Sequence, residues 1–334
     1  MANLPRQRVA MTLPGPTANV ADSIAMAKRL EQLGWDDIWL ADAGGLDALT
    51  LAPMLLAATE NMRIGTAVVP VFTRTPAVLA STFAVISQAY PGRFIPGLGT
   101  SSHAIINNWH GLTMEKPLTR IQETMTLLRA MMAGEKTSFE GETLRSKGYR
   151  QAPTSNQLIY LAGLRPKMLE TAAEISDGVI LNLFPRSALP KIMEHIAIGA
   201  ERAGKDPASV EVVCRHMMCV TGDRGLGRAA FRAAFGPYYA TPVYNKFLAW
   251  AGYEDAAKEI AEGFKARDRD RTAAAMTDEL VDQIALIGDA AECQDLVREY
   301  AAGGIHTHVM SPMIPDPQMI EDTVMAFSAE HFNF

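Results

Sequence analysis

The sequence predicts an α/β fold, a (β/α)8 TIM barrel, and three observations lead there. Short apolar runs alternate with amphipathic segments along the whole of the 334 residues, the pattern of repeated βα units around a parallel sheet. Eight such units can be counted, with none of the reversal that the rival architecture, an open doubly wound sheet, would show. Eight units of this kind need about 250 residues, leaving roughly 80 for insertions, and the pattern breaks in two places that can hold them.

The strands read, in order, as Val9–Thr12, Ile38–Ala41, Ile64–Val71, Phe94–Gly99, Leu158–Gly163, Val179–Leu183, Val210–Val220 and Ile305–Met310. Between them the helices carry start and stop signals. Asn19 with Asp22 caps a helix whose apolar face is Val20, Ile24, Ala27 and Leu30, stopped by Gly34. Thr75 places a capping hydroxyl before Pro76, and Leu79, Phe83, Ile86 and Tyr90 follow at helical spacing up to Pro91 and Gly92. Ile121, Met125, Leu128 and Met132 repeat the stripe in the fourth unit. Asp289 with Glu292 forms a capping box, and Asp316 before Pro317 opens a last helix with Ile320, Val324, Phe327 and His331 on one side. One insertion follows the fourth helix, about 136–156, and a larger one follows the seventh strand, about 221–286. No repeat beyond the βα period and no linker is present, so residues 1–334 read as a single domain. Pro96 lies inside the fourth strand, where the missing N–H predicts a kink or bulge.

Composition narrows the function. A hydrophobic fraction of 48% and a charged fraction of 20% are those of a globular protein and exclude disorder, collagen and coiled coil. The net charge of −6, with no run of like charges, argues against a nucleic-acid partner. No apolar run approaches the roughly 20 residues of a membrane span, and Met1–Gln7 is too short and polar for a signal peptide, so a soluble cytoplasmic protein without a membrane partner is expected. Cys214, Cys219 and Cys293 make no Cys-x-x-Cys pair and read as free buried thiols. The 18 methionines suggest adaptable core filling.

A barrel of this kind builds its site where strands end and loops begin. That narrows the search to 12–16, 42–45, 68–74, 97–111, 163–167, 182–186, 215–221 and 311–315. Asp42 is their only carboxylate, which disfavours a paired-carboxylate hydrolase. Asp42 can either accept from a ring N–H of a ligand or cap the next helix. The stretch Gly97-Leu-Gly-Thr100-Ser-Ser-His103 is small and hydroxyl-rich, allowing close approach of a flat ligand, yet it is not a dinucleotide fingerprint because Ser102 replaces the third glycine. Gly163-Leu164-Arg165-Pro166-Lys167 runs from a strand into a helix start, whose free N–H groups and two cations suit a phosphate, or else form an ordinary turn. His103 and His110 flank Trp109 in a strand-end loop and are the better candidates for a proton donor near neutral pH, with His110 alternatively only locking the loop. His306 and His308 share a strand face, but no third ligand is placed, so no metal is expected.

Three runs taken together resemble a known family: Gly65–Pro76, Gly92–Gly99 followed by Trp109-His-Gly111, and Leu161–Met168. They are similar to the bacterial luciferase-like oxidoreductase superfamily over nearly the whole chain, and most of all to its branch that uses the deazaflavin coenzyme F420. The resemblance implies a luciferase-like barrel and hydride transfer between F420 and a small-molecule substrate. It implies a non-proline cis peptide at Ala67–Val68 against the ring, the cofactor phosphate at Gly163, Leu164 and Arg165, and Asp42 at the polar edge of the ring. The absence of a cation in 97–102, where the luciferase branch proper holds the FMN phosphate, leans toward the deazaflavin. His103 is then the expected proton donor. The alternatives are an FMN-dependent monooxygenase fed by a separate reductase, and a flavin-binding barrel without turnover. A homodimer is the family expectation, and the 221–286 insertion is a candidate lid.

Overall fold

In the computed structural model, which describes residues 5–13, 15, 19–154 and 157–334, each expected strand is found, two of them in pieces. Pro14 and Pro16 of the first expected loop and the last two residues of the first insertion, Ser155 and Asn156, lie outside the described residues. The first half runs β1 (Arg8–Leu13), α1 (Val20–Gln32), β2 (Asp37–Leu40), α2 (Ala48–Ala58), β3 (Arg63–Thr66), β4 (Val69–Pro70), α3 (Pro76–Ala89), β5 (Phe94–Ile95), β6 (Gly97–Gly99) and α4 (Pro117–Met132). Then follow the hairpin β7 (Ser138–Glu140) and β8 (Arg145–Lys147), β9 (Tyr160–Ala162), α5 (Pro166–Ile175), β10 (Gly178–Asn182), α6 (Leu189–Arg202) and β11 (Glu211–Val220). Five helices come next, α7 (Arg224–Tyr239), α8 (Pro242–Trp250), α9 (Glu254–Ala266), α10 (Arg269–Ala275) and α11 (Asp278–Ile284). The chain ends with β12 (Ala285–Gly288), α12 (Ala290–Ala302), β13 (Thr307–Pro312) and α13 (Pro317–Ala326).

The local signals act as expected at most helix ends. Asn19 and Asp22 form a capping box on α1, Asp289 and Glu292 form one on α12, and the Thr75 side chain accepts from the Val78 N–H at the start of α3. Val20, expected on the inner face of α1, is exposed, and Ser23 is buried in its stead with Ala27 and Leu30. Ser23 tolerates burial because its hydroxyl donates to the Asn19 carbonyl at 2.8 Å. The last helix ends before His331, which is exposed.

The third expected strand is divided between β3 and β4 by a cis peptide at Ala67–Val68. The fourth is divided between β5 and β6 at Pro96, as its missing donor requires. Two elements went unforeseen. The first insertion folds into the antiparallel pair β7 and β8, and β12 begins inside the expected bounds of the second and pairs with β11.

All the sheet pairings outside that hairpin are parallel, in the order β4-β6-β9-β10-β11-β13-β1-β2-β3-β5, with β12 beside β11. The sheet is curled. Trp39 on β2 and Tyr160 on β9 are five strands apart in this order, roughly 24 Å in a flat sheet at about 4.8 Å per strand. Their ring centroids are 6.1 Å apart. Side chains facing the lumen, Ala10, Trp39, Ile95, Tyr160, Ile180, Val213 and Val309, form their own cluster, while alternate residues face the helices in the main core. No helix among the described residues is long and apolar enough to cross a membrane. The three cysteines are free and buried.

Below this aromatic layer, at the N-terminal ends of the strands, lies an ion cluster. Arg63 donates to Asp37 through Nε at 2.9 Å and Nη2 at 2.6 Å, and to Glu211 through Nη1 at 3.2 Å and Nη2 at 2.8 Å. Glu211 also accepts from the Tyr160 and Thr307 hydroxyls, each at 2.6 Å. Burial alone would raise the Glu211 carboxyl, but the hydrogen bonds and charge of Arg63, with Thr307 and Tyr160, hold it down to about 2 from an ordinary 4.5.

A depressed carboxyl stabilises the fold above its ordinary pKa and loses that contribution as pH falls from 4.5 toward 2. We therefore expect Glu211→Gln to cost about 3 to 5 kcal/mol at pH 7, the cost of breaking one side of a buried ion pair. Urea denaturation at pH 7 and at pH 3 checks this. The gap between wild type and variant should narrow at pH 3, and a gap that is equal at both would contradict the assignment.

Candidate functional site

The C-terminal ends of the strands carry a different layer. Period-two alternation from the lumen cluster places Thr12, Ala162, Asn182, Arg215 and Ser311 on the lumen face above Ala10, Tyr160, Ile180, Val213 and Val309. Ala67 and Val68 pack against the same cluster. The layer is small-sided and polar, in contrast to the ion cluster below. Several of its polar groups find no hydrogen-bond partner among the described residues: Thr12 Oγ1, Asn182 Oδ1 and, one layer down, Trp39 Nε1 are buried without one. Burying a polar atom without a partner costs about 1 to 3 kcal/mol, so three in one place mark a surface built for a ligand's polar atoms.

Glycines shape this surface, and for a reason other than the one the sequence suggested. Gly97 and Gly99 read as room for a flat ligand, but a Cβ on Gly97 would lie 1.9 Å from the Thr66 carbonyl oxygen, and one on Gly99 2.5 Å from Val68 Cγ2. The space they leave belongs to the protein's own third strand. Where Ala67–Val68 interrupts that strand, Thr66 replaces the ladder: its hydroxyl donates to Gly97 O at 2.9 Å and accepts from Gly97 N–H at 2.8 Å. Gly65 gives way to the Trp39 ring, which a Cβ there would meet at 2.6 Å.

The expected site residues come to the same end of the sheet. Asp42, after β2, accepts from Arg74 Nη1 at 2.5 Å and from the Ala48 N–H at 3.4 Å, so it both meets a cation and helps to start α2. Arg74 also pairs with Asp47, which clamps the loop after β2 to the loop after β4. Thr100 is half-buried at the end of β6. His103 is exposed at the start of a π-helical turn, Ala104–Trp109, and makes no side-chain capping bond. His110 is exposed on its far side, and Trp109 reaches the glycine loop after β2, where a Cβ on Gly44 would lie 3.3 Å from its ring.

Gly163 is pressed against the start of α5, where a Cβ would lie 3.1 Å from Leu169 Cα. Leu164 packs half-buried beside it. Arg165 is the N-cap of α5 with Pro166 at the first helical position, and Arg165 and Lys167 are exposed and form no ion pair among the described residues. His306 and His308 do not converge on an ion. His306 Nδ1 accepts from Val212 N–H at 3.1 Å, and His308 pairs with the buried His216 at 3.1 Å.

Sequence reasoning passed over Trp39, Arg74, Asn182, Arg215 and Ser311. All but Trp39 lie inside the stretches it marked, and continuing the period-two alternation past the apolar part of each strand would have picked out Asn182, Arg215 and Ser311.

The chain matches known proteins along most of its length. Residues 3–307 match the model of the luciferase-like monooxygenase family. The chain is 29% identical over 297 residues to 5,10-methylenetetrahydromethanopterin reductase of Methanolobus tindarius, spanning 87% of this chain and 90% of that one. It is 26% identical over 323 residues to a protein of Mycobacterium tuberculosis that carries the name of a coenzyme F420-dependent oxidoreductase, spanning 89% and 91%. In fold it follows the coenzyme F420-dependent tetrahydromethanopterin reductase of Methanopyrus kandleri with a TM-score of 0.81 at 20% identity, over 98% of this chain and 100% of the other.

The contact at Gly97 generates a direct test. Gly97→Ala sets a methyl group against backbone that cannot swing aside, and we expect a loss of at least about 3 kcal/mol. Gly222→Ala, where nothing lies within 4 Å, should change stability by no more than about 0.5 kcal/mol. Thermal denaturation of the two variants side by side checks the contrast.

Proposed function

The chain belongs to the luciferase-like monooxygenase family, and on that premise we propose that it is an oxidoreductase that transfers a hydride between coenzyme F420 and a small organic substrate. We read the path of strands as a closed ring of eight βα units, with β3 and β4 counted as one and β5 and β6 as another. The observation that carries the reading is the under-satisfied polar layer at the strand ends, followed along the chain by Arg165 and Lys167, two cations that form no ion pair among the described residues. Relatives that match along most of the chain and are named for F420 or for a pterin reductase support the choice of cofactor.

The residues present fit such a group. Thr12, Trp39 and Asn182 offer polar atoms to a planar ring system, Ala67, Val68 and Ala162 offer apolar packing, and Arg165 and Lys167 beside Gly163 offer charge to an anionic tail. A bound deazaflavin supplies the carbon that gives or accepts the hydride. The chain does the rest. Trp39 and Tyr160 close the lumen from below and exclude water. Asp42, its carboxylate held by Arg74, orients polar hydrogens at the ring edge. His103, uncommitted to any capping bond, is the group we assign to move a proton to or from the substrate. The Tyr239 hydroxyl on α7 donates to Leu183 O at 2.9 Å, so the second insertion is tied to the exit of β10 and walls the mouth on that side. FMN is the alternative cofactor for the same surface.

Separate titrations with F420 and with FMN, followed by quenching of tryptophan fluorescence, test the proposal. F420 should saturate the protein and FMN bind at least tenfold more weakly. Arg165→Ala and Lys167→Ala should each weaken F420 binding by about tenfold or more, the value of one charge-assisted hydrogen bond. Tight binding of FMN with none of F420 would overturn the deazaflavin reading.

A further inference from the structure

Arg215 presents a feature that cofactor binding leaves unexplained. It stands on the lumen face of β11 in register with Asn182 on β10 and Val309 on β13. Among the described residues its only hydrogen bonds run to the Ser311 hydroxyl, from Nε at 3.2 Å and Nη2 at 2.8 Å. No carboxylate pairs with it, and the few residues outside the described ones contain no Asp or Glu. In contrast, Arg63 at the other end of the same lumen holds two carboxylates.

The surroundings do not solvate this cation. Burial pulls the guanidinium below its ordinary value, and the nearby Tyr238 and Tyr244 phenols only partly oppose that. Those phenols belong to an aromatic group on the second insertion, with the Tyr238 and Tyr244 ring centroids 5.9 Å apart and those of Tyr239 and Tyr244 also 5.9 Å apart. Asn182 Oδ1 is buried and unpartnered one strand away, and Leu183, which follows it, is held in the left-handed region at φ 53°. A mostly enclosed cation without a counter-ion costs stability, and such a cost is offset when a ligand brings the missing charge.

We propose that Arg215 is a substrate-recognising residue and that the substrate carries a carboxylate. Nη1, without a partner among the described residues, and the Nη2 edge present a planar fork of the kind that carboxylates take in bidentate fashion. Ser311 fixes the rotation of that fork, and Tyr244 encloses the apolar body attached to it. This deepens the reading above and rests on it for the identity of the reaction, but the anion site itself is independent of any cofactor.

Benzoate, with benzamide as its uncharged match, serves as the probe for the full-length protein without cofactor, in chloride-free buffer. Calorimetric titration should show saturable benzoate binding and benzamide at least tenfold weaker. Arg215→Met should weaken benzoate at least tenfold, Arg215→Lys should restore part of the loss, and neither should shift F420 affinity more than twofold. A merely structural arginine would behave otherwise, because Arg215→Met would then lower the melting temperature, whereas we expect it unchanged or raised. Equal binding of benzoate and benzamide, or undiminished benzoate binding by Arg215→Met, would overturn the proposal. So would loss of F420 binding in Arg215→Met with benzoate unaffected, which would give the charge to the cofactor. Failure of the wild type to bind F420 overturns the cofactor reading alone and leaves the benzoate result to be judged by itself.

Discussion

Arg63 ties together strands that lie far apart along the sheet. Its guanidinium starts on β3, takes Asp37 from the neighbouring β2, and reaches Glu211 on β11, four strands away in the sheet order. A flat sheet cannot bring these groups within 3.2 Å of each other. The cluster therefore both requires the curl and fixes its register, since a one-residue slip of β3 would turn Arg63 out toward the helices. Such a cluster is weak evidence for net stability, because desolvating three charges is costly, but once buried its members depend on one another. Its clearest effect is to specify one way for the sheet to curl.

From that floor upward the lumen changes character in steps. Ions fill the bottom, rings and branched aliphatics fill the middle, and the top is small and polar with donors and acceptors left over. The bottom layer resembles an ordinary core in that its polar groups are paired, and it takes in the Tyr160 hydroxyl from the layer above. The top layer and Trp39 beneath it differ, and a protein that satisfies Glu211 with three partners has no structural need to leave Asn182, Thr12 and Trp39 without any among the described residues. The same contrast sets Arg215 apart from Arg63. One fold thus holds a self-sufficient ionic layer and an unfinished one, and the unfinished one lies at the strand ends from which the loops run.

The loops over this end are held by a small number of specific ties. Arg74 joins Asp42 to Asp47, Trp109 leans on Gly44, and Tyr239 of the second insertion caps the carbonyl of Leu183. Each tie connects segments from different βα units, so the mouth is shaped by contacts between neighbours in space. A cavity of about 920 Å³ between α7, α9 and α10 lies within the second insertion and away from the strand ends.

Much of the architecture was legible in the residues themselves. Apolar periodicity, capping residues and first-turn prolines are local, so Asn19, Thr75 and Asp289 announced their helices, and Pro96 announced the break between β5 and β6. The family resemblance carried the cis bond at Ala67–Val68, and the structure contains it. Strand-end stretches were located correctly, and Asp42, His103 and Gly163 do come to one end of the sheet. What could not be read locally was which polar side chains meet. Arg63 and Glu211 are 148 residues apart, and whether Gly97 makes room for a ligand or for Thr66 depends on where another strand runs. Short-range order is written in spacing along the chain, whereas the pairing or isolation of a buried charge is decided only when the sheet curls and the dielectric around that charge is set by residues from every other strand.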